Sequence, residues 1–276
     1  MPELPEVETV RRSLAPALEG ARILRAVVRH PRLARRNEHP DDVANRLTGR
    51  LIRGIGRTGK FILADVEGDL TWVTHLGMSG RIELADPGDA EKPHTHVIVA
   101  TDRNQEMRMV DPRTFGFVAV YTPEELAGSS IAGLGRDALN DLPRSNVWTR
   151  HLAGRTAPIK SLLLDQRFVA GLGNIYADEV LHRSGIRPDR PAGSLTPDEI
   201  RHLRSFVRPI LKAGLRWGGT SLDDLAYLLP DGRAGEYLDR LRAYGREGLP
   251  CRRDGTPIER TVIGGRSSFW CPTCQR

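Results

Sequence analysis

The first eight residues, Met1-Pro2-Glu3-Leu4-Pro5-Glu6-Val7-Glu8, put an imino acid beside a carboxylate at the start of a basic chain. Removal of Met1 would free Pro2 as a secondary amine. An α-amino group titrates near pH ~8, against ~10.4 for lysine, so part of it is an uncharged nucleophile at neutral pH. A secondary amine that attacks a sugar carbon can collapse to an iminium, which acts as an electron sink. Glu3 stands where it could move protons at that same carbon. The same residues also suit a helix start, with Pro5 in the first turn and Glu3, Glu6 and Glu8 complementing the N-terminal dipole. A second constellation closes the chain. Cys251-Arg252-Arg253-Asp254 and, after sixteen intervening residues, Cys271-Pro272-Thr273-Cys274 have the spacing of a hairpin zinc ribbon, with a carboxylate in place of one thiolate. No histidine follows Cys251. Three readings stand: a Cys3Asp zinc site, a three-cysteine site completed by water, and a metal-free hairpin.

These groups need elements to hold them. Val7, Val10, Leu14 and Leu18 fall at helical spacing behind Pro5, with Pro16 limiting the run. From Ala21 to Tyr121 the texture is short β-like runs: Ile23–Val28, Phe61–Val66, Leu70–Thr74, His96–Ala100, Met107–Val110 and Phe117–Tyr121. Gly, Pro, Asp and Asn clusters separate them, as in an antiparallel sandwich or barrel. The basic stretches Arg29–Arg36 and Arg50–Arg57 read as solvated faces or phosphate contacts. After Leu139-Asn140-Asp141-Leu142-Pro143 the pattern turns helical. Thr196-Pro197-Asp198-Glu199 is a capping box, followed by an apolar stripe of Ile200, Leu203, Val207, Ile210 and Leu211. Gly171, Gly173 and Asn174 sit between helical segments, where a tight turn can present backbone N–H groups to a phosphate. Residues 218–235 read as a polar, glycine-rich loop.

Forty-one Lys+Arg against 35 Asp+Glu give a net charge of +6 over 276 residues, consistent with a polyanionic partner. Only four of the basic residues are lysines, so Lys60 and Lys160 read either as chosen for their amines or as what the arginine bias of a high-GC genome leaves. No apolar run approaches the ~20 residues that span a bilayer, and the acidic N-terminus is not that of a signal peptide. Three cysteines, all in the tail, make no disulfide framework. The expected place is the cytoplasm.

The opening Met1-to-Thr9 stretch resembles the start of the formamidopyrimidine-DNA glycosylases. So do His75-Leu76-Gly77-Met78-Ser79-Gly80, Asp111-Pro112-Arg113-Thr114-Phe115-Gly116, Gly171-Leu172-Gly173-Asn174-Ile175-Tyr176-Ala177-Asp178-Glu179 and the cysteine-bearing tail. They come in the family's order and cover nearly the whole chain. The resemblance implies a multidomain α+β fold: an antiparallel β-sandwich with an N-terminal helix over 1–138, a helix–two-turns–helix domain with the lesion loop over 139–240, and a zinc-ribbon hairpin over 241–276. It implies Pro2 and Glu3 as catalytic, with Lys60 and Arg266 helping on the phosphate side and Glu6 as a further site residue. His75, Met78, His94, Arg113, Phe115, Arg155, Lys160 and Asn174 are implied DNA contacts, with Met78, Arg113 and Phe115 filling the space left by a flipped base. One structural zinc on Cys251, Asp254, Cys271 and Cys274 is implied, with no redox cofactor. The implied protein is a nucleoid-associated monomer acting on damaged double-stranded DNA. Two departures stand out: Asp254 for a cysteine, and Thr114 where the family often has arginine.

Three functions fit these residues. The first is excision of oxidised purines with cleavage of the abasic site. The second is DNA binding without excision, separated from the first only by Pro2, Glu3 and Lys60. The third is an oxidised-pyrimidine glycosylase, against which Leu4 argues, since the related endonuclease VIII group usually has glycine there. His94 and His96 as a metal pair is a further alternative, without a carboxylate or cysteine cluster to accompany it.

Overall fold

The computed structural model describes residues 1–221 and 227–276. The chain forms two compact units, Met1–Gly133 with Trp217–Glu236, and Leu134–Arg216 with Tyr237–Arg276.

In the first unit, helix α1 (Leu4–Leu18) buries the expected stripe of Val7, Val10, Leu14 and Leu18. Pro16 lies inside its last turn, and the helix runs on to Leu18 rather than ending at the proline. Eight strands follow: β1 (Ile23–Val28), β2 (Ile52–Thr58), β3 (Phe61–Val66), β4 (Leu70–His75), β5 (Arg81–Ala85), β6 (Thr95–Thr101), β7 (Gln105–Val110) and β8 (Phe117–Tyr121). They make two four-stranded antiparallel sheets, ordered β1-β6-β7-β5 and β2-β3-β4-β8. Alternating side chains such as Ile62, Ala64 and Val66 enter one core with Trp72, Val97, Val99 and Met107. Each fully buried aliphatic side chain contributes about 1.5–3 kcal/mol. Helices α2 (Pro40–Leu47) and α3 (Pro123–Ala127) complete the unit. The basic stretch 50–57 proves to be mostly β2, whose Ile52 and Ile55 are buried; Arg53 is exposed, whereas the Arg57 side chain is buried against Glu8. Residues 217–236 group with this unit, and Thr220 N donates to the Glu6 carboxylate of α1. The expected lesion loop, 218–235, lies only partly within the described residues.

The second unit pairs β9 (Arg136–Asp137) in parallel with β10 (Val169–Ala170). Around them stand α4 (Ser145–Leu152), α5 (Ile159–Leu163), α6 (Asn174–Ser184) and α7 (Pro197–Arg216). The capping box at α7 is present: Thr196 N donates to Glu199 Oε2 at 2.8 Å, and Glu199 N donates back to Thr196 Oγ1 at 3.3 Å. The chain closes in an antiparallel hairpin of β11 (Glu259–Ile263) and β12 (Arg266–Trp270). Gly264 and Gly265 make its two-residue turn with φ of 57° and 75°, angles that only glycine adopts cheaply.

Candidate active site and metal centre

Pro2 is buried at the head of α1 while Met1 is exposed. Glu3 caps the helix, and Glu3 N donates to Glu6 Oε2 at 2.8 Å in a capping box that fixes the backbone beside Pro2. The other oxygen of Glu6 reaches further. Its Oε1 accepts from Thr220 N at 2.8 Å, and Tyr227 Oη donates to Glu6 O at 3.4 Å and to Gly218 O at 3.0 Å. Position 219 has to be glycine here: its φ is +85°, and a Cβ would meet Glu6 Oε1 at 2.7 Å. Burial, then the Glu6 charge, drives the Tyr227 phenol far above its ordinary value, so it stays a donor. Sequence reading named Glu6 but missed Thr220 and Tyr227, since nothing in a polar loop marks which residue turns inward.

Lys60 stands in the β2–β3 turn after Gly59, whose φ is 57°, and is 7% exposed. That turn is pinned to α1 by Arg57, whose Nε lies 3.1 Å from Glu8 Oε2. Glu8 also accepts from Arg11 Nε at 3.0 Å and Arg12 Nε at 2.9 Å. Burial pushes the Glu8 carboxyl up, but hydrogen bonds from these arginines outweigh it and hold the group at about 2. The lysine turn and the proline helix are therefore one framework.

The three expected gap-filling residues sit on two neighbouring loops. Met78 and Arg113 are exposed and Phe115 is half-buried. Two guanidinium groups lie over the Phe115 ring, Arg32 at 5.1 Å and Arg113 at 4.8 Å from its centre. Arg35, which the sequence reading did not single out, donates to Phe115 O at 3.0 Å and Gly116 O at 2.6 Å and stacks on Phe117 at 5.1 Å. His75 Nδ1 accepts from Gly77 N at 3.1 Å, so the ring's proton is on Nε2. Burial, then the charges of Lys60, Arg35 and Arg36, lowers His75 to about 4, making it a neutral donor. His94 is exposed at φ 66°, near His96 with ring centres 6.1 Å apart. Among the described residues neither joins a group of three or more converging metal ligands.

In the second unit Arg266 is exposed beside the glycine turn of the hairpin, and Arg155 is exposed after α4. Asn174 opens α6 behind Gly173, and its Nδ2 donates to Ser267 O at 2.9 Å. Its Oδ1 is buried without a partner. Lys160 differs from the expected DNA contact in having no exposed surface. Its Nζ lies 2.6 Å from Asp178 Oδ1 and donates to Ser267 O at 2.9 Å and Ser268 Oγ at 2.7 Å. Burial pushes the Asp178 carboxyl up against the pull of that ammonium. Lys160 is thus an internal strut under the strand that begins with Arg266.

Asn174, Asp178 and His182 recur every four residues, so they share one face of α6, and all three meet the C-terminal segment. Asp178 Oδ2 accepts from Phe269 N at 3.0 Å, and His182 Nε2 lies 3.4 Å from Cys251 Sγ. Next to that face, Glu179 accepts from Arg242 N at 3.0 Å, Ala243 N at 2.8 Å and Tyr244 N at 3.0 Å. The polar i, i+4 series along a mostly buried helix is the signal that could have found them.

Cys251, Asp254, Cys271 and Cys274 converge with one ligand atom each, all within 4.8 Å of one another. Cys251 Sγ is 3.9 Å from Cys274 Sγ, and Asp254 Oδ2 is 3.4 Å from Cys271 Sγ. A tetrahedral zinc with ordinary bond lengths requires ~3.8 Å between sulfurs and ~3.5 Å between sulfur and oxygen. Burial and the neighbouring thiols push Cys274 up to about 12, a penalty on the thiolate that a bound cation would offset. The donor set fits one structural zinc, with Asp254 in the fourth place.

Comparison with known proteins agrees along the chain. Residues 1–118 match the formamidopyrimidine-DNA glycosylase N-terminal domain, 134–225 its H2TH domain, and 248–276 the zinc finger found in FPG and IleRS. A formamidopyrimidine-DNA glycosylase of Rhizorhabdus wittichii is 45% identical, with both chains covered in full. A point mutant of the Lactococcus lactis FPG, solved with a Fapy-dG containing DNA, superposes with a TM-score of 0.91 at 31% identity, with all of each chain covered. The Lactococcus lactis Fpg solved with an abasic site containing DNA gives 0.91 at 30%, again with all of each chain covered. The chain belongs to the formamidopyrimidine-DNA glycosylase family, whose members are DNA glycosylases and abasic-site lyases.

Proposed function

We propose that the protein excises oxidised purines, 8-oxoguanine and formamidopyrimidines, from duplex DNA and cleaves the resulting abasic site through an N-terminal proline Schiff base. The observation that carries the reading is the Pro2–Glu3 pair, buried at the head of α1 and held by Glu6. Met1 is exposed and open to removal. The free Pro2 nitrogen attacks C1′ while Glu3 moves a proton at the sugar oxygen or the base. The C1′–N bond breaks, and the base leaves with the bonding pair and a proton. The sugar ring then opens at C1′, O4′ leaving with the bonding pair and a proton, and a Pro2 iminium remains. The iminium acidifies the C2′ proton, whose removal expels the 3′-phosphate. Removal of the C4′ proton then expels the 5′-phosphate.

Lys60, Arg266, His75, His94, Arg155 and Asn174 serve the phosphates, the last as the head of α6. Met78, Arg113 and Phe115 fill the duplex where the base has left. Lys160 acts through Ser267 and Ser268. Zinc, held by Cys251, Asp254, Cys271 and Cys274, braces the terminal hairpin. The functional segments are 1–138, 139–240 and 241–276, working as a monomer on nucleoid DNA.

Borohydride trapping with a duplex carrying one 8-oxoguanine opposite cytosine tests the reading. A covalent adduct mapped to Pro2 is expected. No adduct with tight binding to that duplex would mean recognition without excision. An adduct formed only with an oxidised pyrimidine would keep the chemistry and change the substrate.

A further inference from the structure

His182 has no part in the chemistry above, yet its side chain is fully buried, 0% exposed, on the ninth residue of α6. A buried imidazole without polar partners would be better replaced by a phenyl ring, because desolvating its N–H and its lone pair is unfavourable. Among the described residues the side-chain polar contacts within hydrogen-bonding range of its ring are sulfurs. Nε2 lies 3.4 Å from Cys251 Sγ and 4.0 Å from Cys274 Sγ, while Nδ1 is buried without a hydrogen-bond partner. It stands outside the group of four ligand atoms that converge within 4.8 Å. A tautomer with the proton on Nδ1 would bury an orphaned donor and turn a lone pair toward the thiolates. The Nε2–H tautomer does neither.

Other bonds tie the tail to the end of α6 without involving sulfur. Arg276 N donates to Gly185 O at 2.9 Å, Gln275 Nε2 to Ile186 O at 2.8 Å, and Arg253 Nη2 to Arg183 O at 2.6 Å. A centre with three thiolates and one carboxylate around a dication carries a net double negative charge, which N–H donors to sulfur relieve. One such donor is Arg253 N, 3.4 Å from Cys251 Sγ. We infer that His182 is another: it donates Nε2–H to the Cys251 thiolate, with Cys274 adjacent, and couples metal retention to the helix that opens with Asn174. Outer-shell donors of this kind typically change metal affinity by about 10–100-fold when removed.

The test uses the full chain as His182→Phe and His182→Gln, loaded with zinc or with cobalt(II). For His182→Phe, zinc transfer to a chromogenic chelator is expected to quicken about tenfold. The sulfur-to-cobalt charge-transfer band is expected to shift, while the tetrahedral d–d envelope keeps its intensity. His182→Gln can return an N–H to the same place and is expected to stay within about twofold of the parent; it also carries the test if the phenylalanine variant misfolds. Unchanged release and an unchanged charge-transfer band in both variants would reduce His182 to packing. A collapse of the d–d envelope would make His182 a ligand, and would overturn the donor assignment.

Discussion

Ser79 and Asp111 join the two loops that carry Met78, Arg113 and Phe115, through a 2.7 Å hydrogen bond from Ser79 Oγ to Asp111 Oδ1. Arg113 N donates to the same hydroxyl at 3.3 Å, and Asp111 Oδ2 accepts from Gly116 N at 2.7 Å. Asp111 is fully buried. Gly77 completes the joint, since a Cβ there would meet Gly116 N at 2.3 Å. Met78, Arg113 and Phe115 therefore stand on one hydrogen-bonded frame, and are expected to move together. Ser79→Ala leaves Asp111 Oδ1 and Arg113 N without this partner, at a cost of about 1–3 kcal/mol. Excision is expected to fall about tenfold while binding to undamaged duplex holds. Fluorescence of a 2-aminopurine placed beside the lesion should show slower opening; unaltered opening would sink the coupling.

Glu3→Gln separates chemistry from scaffolding. Glutamine still accepts at the helix cap, so the melting temperature should change little. Base release is expected to drop at least about a hundredfold, the usual range for losing a positioned proton carrier. Pro2→Gly is expected to keep DNA binding and lose most excision, and undiminished base release would remove Pro2 from the mechanism.

Asp254→Cys should tighten the metal centre. A fourth thiolate replaces an exposed carboxylate, and zinc release to a chelator is expected to slow by at least about tenfold. The cobalt(II) form should gain charge-transfer intensity in the ratio of four sulfurs to three. Equal intensity in both proteins would show that the new thiol does not bind.

Acid should loosen the first unit through Glu8. Its folded pKa, about 2, lies below the unfolded value near ~4.3. The stabilisation is therefore complete above that unfolded value and is lost as pH falls toward 2. Denaturation midpoints should be flat from about pH 7 to 5 and decline below about 4.5. Glu8→Gln should be less stable at neutral pH, since Arg57 with its 1% exposed side chain loses this charge partner, and its decline should be shallower. Parallel curves for the two proteins would mean another group governs.

The sequence made much of this visible for identifiable reasons. Strands Ile23–Val28, Phe61–Val66 and Phe117–Tyr121 were legible to the residue because apolar runs there are bounded by turn formers. β2 was hidden because arginines and glycines interrupt its two buried isoleucines, and α2 because His39-Pro40-Asp41-Asp42 reads as a turn until His39 is seen capping it. The four clustered tail residues were legible by type and spacing. Glu6's bond to Thr220, the Ser79–Asp111 joint and the burial of Lys160 join residues far apart in the chain, and no local pattern encodes such pairs.

The face of α6 that carries Asn174, Asp178 and His182 makes the segment's length matter more than its composition. These residues meet Ser267, Phe269 and Cys251 in turn, over a rise of ~12 Å. One inserted residue would turn everything after it by ~100°, so that Asp178 and His182 would leave the tail together. Substitutions can be absorbed one joint at a time, but insertions and deletions cannot. Between Asn174 and His182 the helix should accept changes of letter and reject changes of count.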